Sequence, residues 1–169
     1  MIYQFKKGKH FSKPRLGLMD LFAFGWEYHF RVKFNFLEGF ESEQDDQWNK
    51  LCGISYSLKP NKNAIMIGYR FNKQKNKMEI TPFVNRNFNF ETGDIFECDL
   101  GEDYIIDGYN IDGIFKVVLK KGLNILPNIV HIFNDIKSPE PKWFGTHRQP
   151  YHGGSGLPLT DYQIKMIYL

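Results

Sequence analysis

The stretch FAFGWEYHFRVKFNF (22–36) decides the fold. Its alternate positions Phe22, Phe24, Trp26, Tyr28, Phe30, Val32, Phe34 and Phe36 are apolar. The intervening Ala23, Gly25, Glu27, His29, Arg31, Lys33 and Asn35 are small, polar or charged. A helix advances about 100° per residue and would scatter the apolar set around its circumference, whereas a strand places every second side chain on one face. The run is therefore extended, with one aromatic face and one wetted face. At about 3.3 Å per residue it would span roughly 50 Å, far beyond a usual strand. The expectation is one long curved strand or two collinear ones, bent at Gly25.

Outward from this ladder the same period recurs. Extended segments are expected at 51–58, 64–71, 77–85, 94–100, 113–120 and 162–168, with turns at 59–63 and 72–77. Pro82 within the third of these points to an edge or a bulge. Residues 127–136 fit a helical period behind Pro127, while IVHIF alone fits a strand; the strand reading is adopted. An acidic loop occupies 37–47, and 139–158 reads as a long Pro/Gly loop holding Trp143, Tyr151 and two histidines. Eight to ten short strands separated by turn signals imply an all-β, antiparallel two-sheet jelly-roll sandwich with little or no helix. The 16 Phe residues and the 17% aromatic content suit two sheets covering each other's faces. Residues 1–19 are expected to form a basic arm or edge strand, and 20–169 a single sandwich domain.

A net charge of +3 is too small to argue for nucleic acid, but the charge is unevenly placed. Lys6, Lys7, Lys9, Lys13 and Arg15 stand in the first nineteen residues without an acid. Glu91, Asp94, Glu97, Asp99, Glu102, Asp103, Asp107 and Asp112 fill 91–112 without a base. The plain reading is two solvated, mutually attracted segments. No signal-peptide pattern and no run of about 20 apolar residues is visible, so a protein made in the cytoplasm, with no membrane segment, is expected. Cys52 and Cys98 permit one disulfide, yet each falls on the apolar parity of its segment, which favours buried free thiols.

Three pieces, WNKLCGISYSL (48–58), KNAIMIGYRFN (62–72) with MEITPFVN (78–85), and PYHGGSGLPLTDYQIKMI (150–167), resemble uncharacterised β-sandwich proteins of Bacteroidota and their tailed, crAss-like phages. The resemblance implies a concanavalin A-like, lectin/glucanase-type jelly roll over roughly 20–169. It also implies a virion component assembled in the host cytoplasm. In these pieces Trp48 is expected to cap the core, Asn49 to close a turn, Gly68 to let a ring cross bare backbone, and Gly153-Gly154 to adopt positive φ before the last strand.

Candidate chemistry is sparse. Glu97, Asp99 and Glu102 fit the Glu-x-Asp-x-x-Glu pattern of laminarinase-type glucanases, a resemblance that implies a nucleophile, a tuning acid and an acid/base. Glu102 has the wrong parity for one strand face, so a bulge at Gly101 is required. Asp99, Asp103 and Asp107, with Glu102 and Asp112, offer oxygen ligands for a structural Ca²⁺, though their spacing matches no known loop. His147 and His152 are two ligands short of a zinc site. Tyr109, Trp143 and Tyr151 are loop aromatics that suit stacking on a sugar. Lys6, Lys7, Lys9, Lys13, Arg15, His29, Arg31 and Lys33 suit contact with a partner. The resulting expectation is a non-catalytic, cofactor-free assembly protein of a tailed phage, capsid- or portal-associated. It would contact other virion proteins within an oligomer or larger assembly, without specific nucleic-acid binding. The alternatives are a carbohydrate-binding, lectin-like module and a glycan hydrolase.

Overall fold

Alternating side chains need a second sheet to cover them, and the computed structural model supplies it. It describes residues 1–14, 20–24, 28–55, 63–111, 114–122, 124–133, 143–147, 149–153 and 156–169. Arg15, Glu27, Asp112, Gly154 and the 59–62 turn lie outside the described residues, as do the side chains of Trp143 and His147. The described strands are β1 (Ile2–Phe5), β2 (Asp20–Phe24), β3 (Tyr28–Phe36), β4 (Asn49–Ser55), β5 (Asn63–Asn72), β6 (Lys77–Arg86), β7 (Asn89–Thr92), β8 (Phe96–Cys98), β9 (Tyr104–Ile111), β10 (Ile114–Lys121), β11 (Asn124–Phe133), β12 (Trp143–His147) and β13 (Tyr162–Tyr168). No helix occurs among the described residues, so none there is long and apolar enough to cross a membrane.

Six strands pair in the order β1-β13-β3-β9-β10-β11, and seven form the facing sheet, β2-β12-β4-β5-β6-β7 with β8 also on β6. Every described pairing is antiparallel. The protein is thus an all-β jelly-roll sandwich. Inward positions of both sheets meet in one core that includes Phe5, Phe34, Phe36, Ile65, Tyr69, Leu119 and Tyr162. Phe40 stacks on Tyr162 at 4.2 Å, and Phe5 lies on the other side of the same ring at 4.4 Å.

Several expectations change here. The aromatic ladder is not one strand or a collinear pair: β2 belongs to the seven-stranded sheet and β3 to the six-stranded one. Thirteen strands among the described residues replace the expected eight to ten. Residues 143–147, read as loop, pair with β2 and β4. Residues 104–111 pair on both sides as β9. The expected strand at 94–100 is shortened to β8. The strand reading of 127–136 holds as far as residue 133.

Pro82 is at neither an edge nor a bulge of β6. It opposes Ile67 of β5, and on its other side β8 ends at Ile80 and β7 begins at Phe83. Its carbonyl accepts from Gly93 N–H at 2.8 Å on that open side, so its missing N–H faces the gap between the two short strands. Gly68 behaves as expected, since a Cβ there would lie 3.2 Å from the Phe83 ring. Gly153 does not have positive φ; its N–H donates to Asn49 Oδ1 at 2.9 Å, so Asn49 pins a distant loop rather than closing its own turn. Trp48 is half-buried beneath the Arg70 guanidinium, 4.4 Å from the ring centroid.

Candidate functional site: the outer face of the six-stranded sheet

The polar half of the β3 alternation points away from the core, and β9 supplies its partners. His29 sits opposite Tyr109, and Arg31 opposite Asp107. The His29 and Tyr109 rings stack face to face at 4.4 Å within 6° of parallel, so the platform they form is a stacked pair in which each ring has one face turned away from the other. Beside it the Asp107 side chain is 1% exposed. It accepts from both Arg31 Nε and Arg31 Nη2, and from Lys120 Nζ of β10 at 2.7 Å. His29 Nε2 stands 4.0 Å from the same carboxylate. Burial pushes the Asp107 carboxyl up, but the bonds from Arg31 and Lys120 outweigh it and hold it below the usual carboxylate range. The guanidinium is raised in turn, first by its bond to Asp107.

One strand row away, Lys33 Nζ contacts Asp103 at 2.6 Å, and Asn35 Nδ2 donates to Asp103 and to Gly101 O. Asn35 Oδ1 is buried without a partner among the described residues. Lys116 of β10, opposite Tyr109, and Lys165 of β13, opposite Asn35, are exposed on this face. An aromatic platform, a guanidinium held by a buried carboxylate, and flanking lysines are therefore gathered on four neighbouring strands. The arrangement can stack an apolar ring face and donate charged hydrogen bonds beside it.

The other candidates disperse. Glu97 extends from β8 to Lys75 at 2.6 Å. Asp99 is bound by Lys77 at 2.6 Å and Lys121 at 3.1 Å, which lower it to about 2. Glu102 lies 3.9 Å from Lys121. Gly101 makes a turn at φ +79°, not a bulge that would swing Glu102 onto the Glu97 face. No cluster of three or more metal-ligating acids, cysteines or histidines occurs among the described residues. Asp99, Asp103 and Asp107 each engage different cations, because the acidic segment threads between β3, β6 and β10, whose lysines and arginine neutralise it. That also corrects the expected attraction to the basic arm. The arm's Lys6 instead pairs with Asp161 at 2.6 Å, and the Lys7 N–H donates to the same carboxylate. Lys13 is tied to Gln4 through backbone bonds in both directions, and the Lys9 N–H closes a turn on Lys6 O.

Tyr109 and Trp143 are on strands, not loops. β9 escaped notice because its inward set, Tyr104, Ile106 and Gly108, ends in a glycine that hides the alternation. Tyr151 is half-buried between His10, Phe11 and Lys50, 5.2 Å from the Phe11 ring centroid, and exchanges backbone bonds with Lys50. His152 is buried within the fold. Cys52 and Cys98 are both buried free thiols, and burial pushes Cys52 up to about 12. The sequence offers Asp107 only as a metal ligand; what sequence reading missed is its role as the acceptor that holds Arg31 and Lys120. An aspartate on the wetted parity of an unrecognised strand has no visible partner until β3 and β9 are paired.

No known family profile matches the sequence, and no curated protein matches it. Solved structures do match in fold. The chain is similar to a xylan β-1,4-xylosidase from Bacillus halodurans (TM-score 0.55, 8% identity), covering 84% of this chain and 28% of that one. It is similar to a family 7 alginate lyase, A1-II′ (TM-score 0.52, 8% identity, 86% and 62% covered). A functionally unknown protein from Saccharomyces cerevisiae gives a TM-score of 0.50 at 8% identity, with 88% and 71% covered. At these identities the likeness is one of fold. The chain spans under two thirds of the lyase and under a third of the xylosidase.

Proposed function

We propose that this chain is a non-catalytic glycan-binding module whose ligand lies on the outer face of β3, β9 and β10. The observation that carries it is the His29–Tyr109 platform flanked by Arg31, whose orientation is fixed by buried Asp107. Sugar recognition needs a flat apolar surface beside well-oriented polar groups, and this face provides both on rigid strands. The fold likeness to a xylosidase and an alginate lyase supports a carbohydrate ligand over the assembly role read from the sequence. Hydrolysis is disfavoured because Asp99 is held ionised and Glu97, Asp99 and Glu102 all face lysines.

Membership of a phage particle rests on the sequence resemblance. Of the arm lysines that suited a neighbour, Lys6 has its ammonium group paired within the chain, with Asp161. The test is a glycan array followed by calorimetric titration of the full chain. Saturable binding to at least one glycan is expected, with Tyr109→Ala weakening it about tenfold or more, as loss of a stacking ring does. No saturable glycan binding, together with self-association in light scattering, would return the protein to the assembly reading.

A further inference from the structure

We infer that the glycan bound on this face is acidic, a polysaccharide bearing carboxylates or sulfates, rather than a neutral one. The inference rests on the glycan-binding reading above and deepens it. Arg31, Lys33, Lys116, Lys120 and Lys165 stand on the outer parity of three strands, β13, β3 and β10, within the neighbouring set β13-β3-β9-β10. Among the described residues two carboxylates, Asp103 and Asp107, share that surface, and both are already engaged.

Asp107 accepts from Arg31 and Lys120, and Asp103 from Lys33 and Asn35. A neutral sugar is a cluster of hydroxyls that donate as well as accept, and its binding sites hold free carboxylate or amide acceptors. Among the described residues both carboxylates are occupied and Asn35 Oδ1 is buried, so the charged groups left facing a ligand are donors: the outer N–H bonds of Arg31 and the ammonium groups of Lys33, Lys116, Lys120 and Lys165. Arg31 has 43% of its side chain exposed, so its fork is oriented by Asp107 yet open to solvent. Such a guanidinium matches a planar carboxylate or a sulfate.

The cations are also spaced for a chain rather than for one ion. Neighbouring strands lie about 4.8 Å apart, so a polymer crossing from β13 to β10 meets positive charge along about 14 Å. The His29–Tyr109 platform offers an apolar ring face one row from Arg31, which a bare polyanion without rings does not use. That pairing of stacking with charge favours an acidic sugar over an inorganic polyanion.

The experiment titrates the full chain with polygalacturonate and chondroitin sulfate, with dextran and laminarin as neutral controls and single-stranded DNA as a non-glycan polyanion. Saturable binding to at least one acidic glycan is expected, at least tenfold tighter than to either neutral one, and weakening as salt rises. Lys116→Glu combined with Lys165→Glu should weaken it by more than tenfold. Both positions are exposed, and circular dichroism checks that the variant folds. Arg31→Lys, which keeps the charge and loses the fork, should weaken binding several-fold.

Equal binding of dextran or laminarin that Tyr109→Ala abolishes would overturn the acidic preference and leave the glycan reading standing. DNA bound as tightly as the acidic glycans would overturn it as well, because the face would then be a general polyanion surface. Failure to bind any glycan, acidic or neutral, would remove both readings together.

Discussion

Asp107 concentrates the chemistry of the candidate site in one buried carboxylate. It serves two cations from two neighbouring strands, so it both joins β3 to β10 across β9 and aims Arg31 outward. An exposed ion pair contributes little, but removing one partner of a buried pair strands the others. Asp107→Ala should lower stability by about 2 kcal/mol, seen as a Tm about 4–8 °C lower in thermal melts. Because Lys120 shares the carboxylate, the double variant Asp107→Ala with Lys120→Met should lose less than the sum of the two single changes. Additive losses would mean that the contact contributes nothing. Asp107→Ala should also weaken glycan binding, since Arg31 loses the acceptor that orients it.

Among the elements, β3 and β9 depend on one close approach. Phe30 and Gly108 are directly opposed, and a Cβ on Gly108 would run into the Phe30 ring. The large ring covers bare backbone on the inner face, directly behind the His29–Tyr109 platform. Gly108→Ala is expected to destabilise by about 1–3 kcal/mol through overpacking. The double change Gly108→Ala with Phe30→Leu should recover part of it; denaturant melts that show Gly108→Ala as neutral would contradict the packing. This pair also explains what the sequence made legible. Alternation exposed β3, β5, β6, β10 and β13 because their inward residues are large, and it set the fold class. It passed over β9, where an inward Gly108 and outward Ile105 and Tyr109 break the pattern, and β12, which sits amid Pro and Gly. It identified His29, Arg31 and Lys33 as a wetted face, but their partners are set by strand pairing, which composition and parity do not encode. For the same reason the Glu97–Glu102 pattern looked catalytic. Its lysines come from β5–β6 and β10, up to twenty-odd residues away.

Across the whole molecule, four distant segments converge on His152. Its carbonyl accepts from His10 Nδ1 at 2.8 Å, which ties down the N-terminal residues. Its Nε2 meets Ser42 Oγ of the acidic loop at 3.3 Å, and its Nδ1 meets the Tyr162 hydroxyl of β13 at 2.9 Å. Tyr162 in turn is bonded to Tyr69 of β5 in the opposite sheet at 2.8 Å, and Phe40 packs edge-on against the imidazole. The titratable groups around the ring are thus His10, Tyr162 and, one bond further, Tyr69; burial holds both tyrosines well above their ordinary range and so neutral. With no carboxylate among these contacts to stabilise an imidazolium, burial first and the nearby His10 second lower His152 to about 4, against about 6.5 in an unfolded chain. A histidine lowered by folding takes up its proton more readily in the unfolded state. Its contribution is therefore complete above about pH 6.5 and is lost progressively as pH falls toward 4, on the order of 2 kcal/mol in all. Denaturant melts between pH 7.5 and 4.5 should show stability falling over that window. In His152→Gln, which keeps polar atoms near Tyr162 without a titrating ring, stability should start lower and vary less steeply. An unchanged pH slope in that variant would assign the acid sensitivity to other groups.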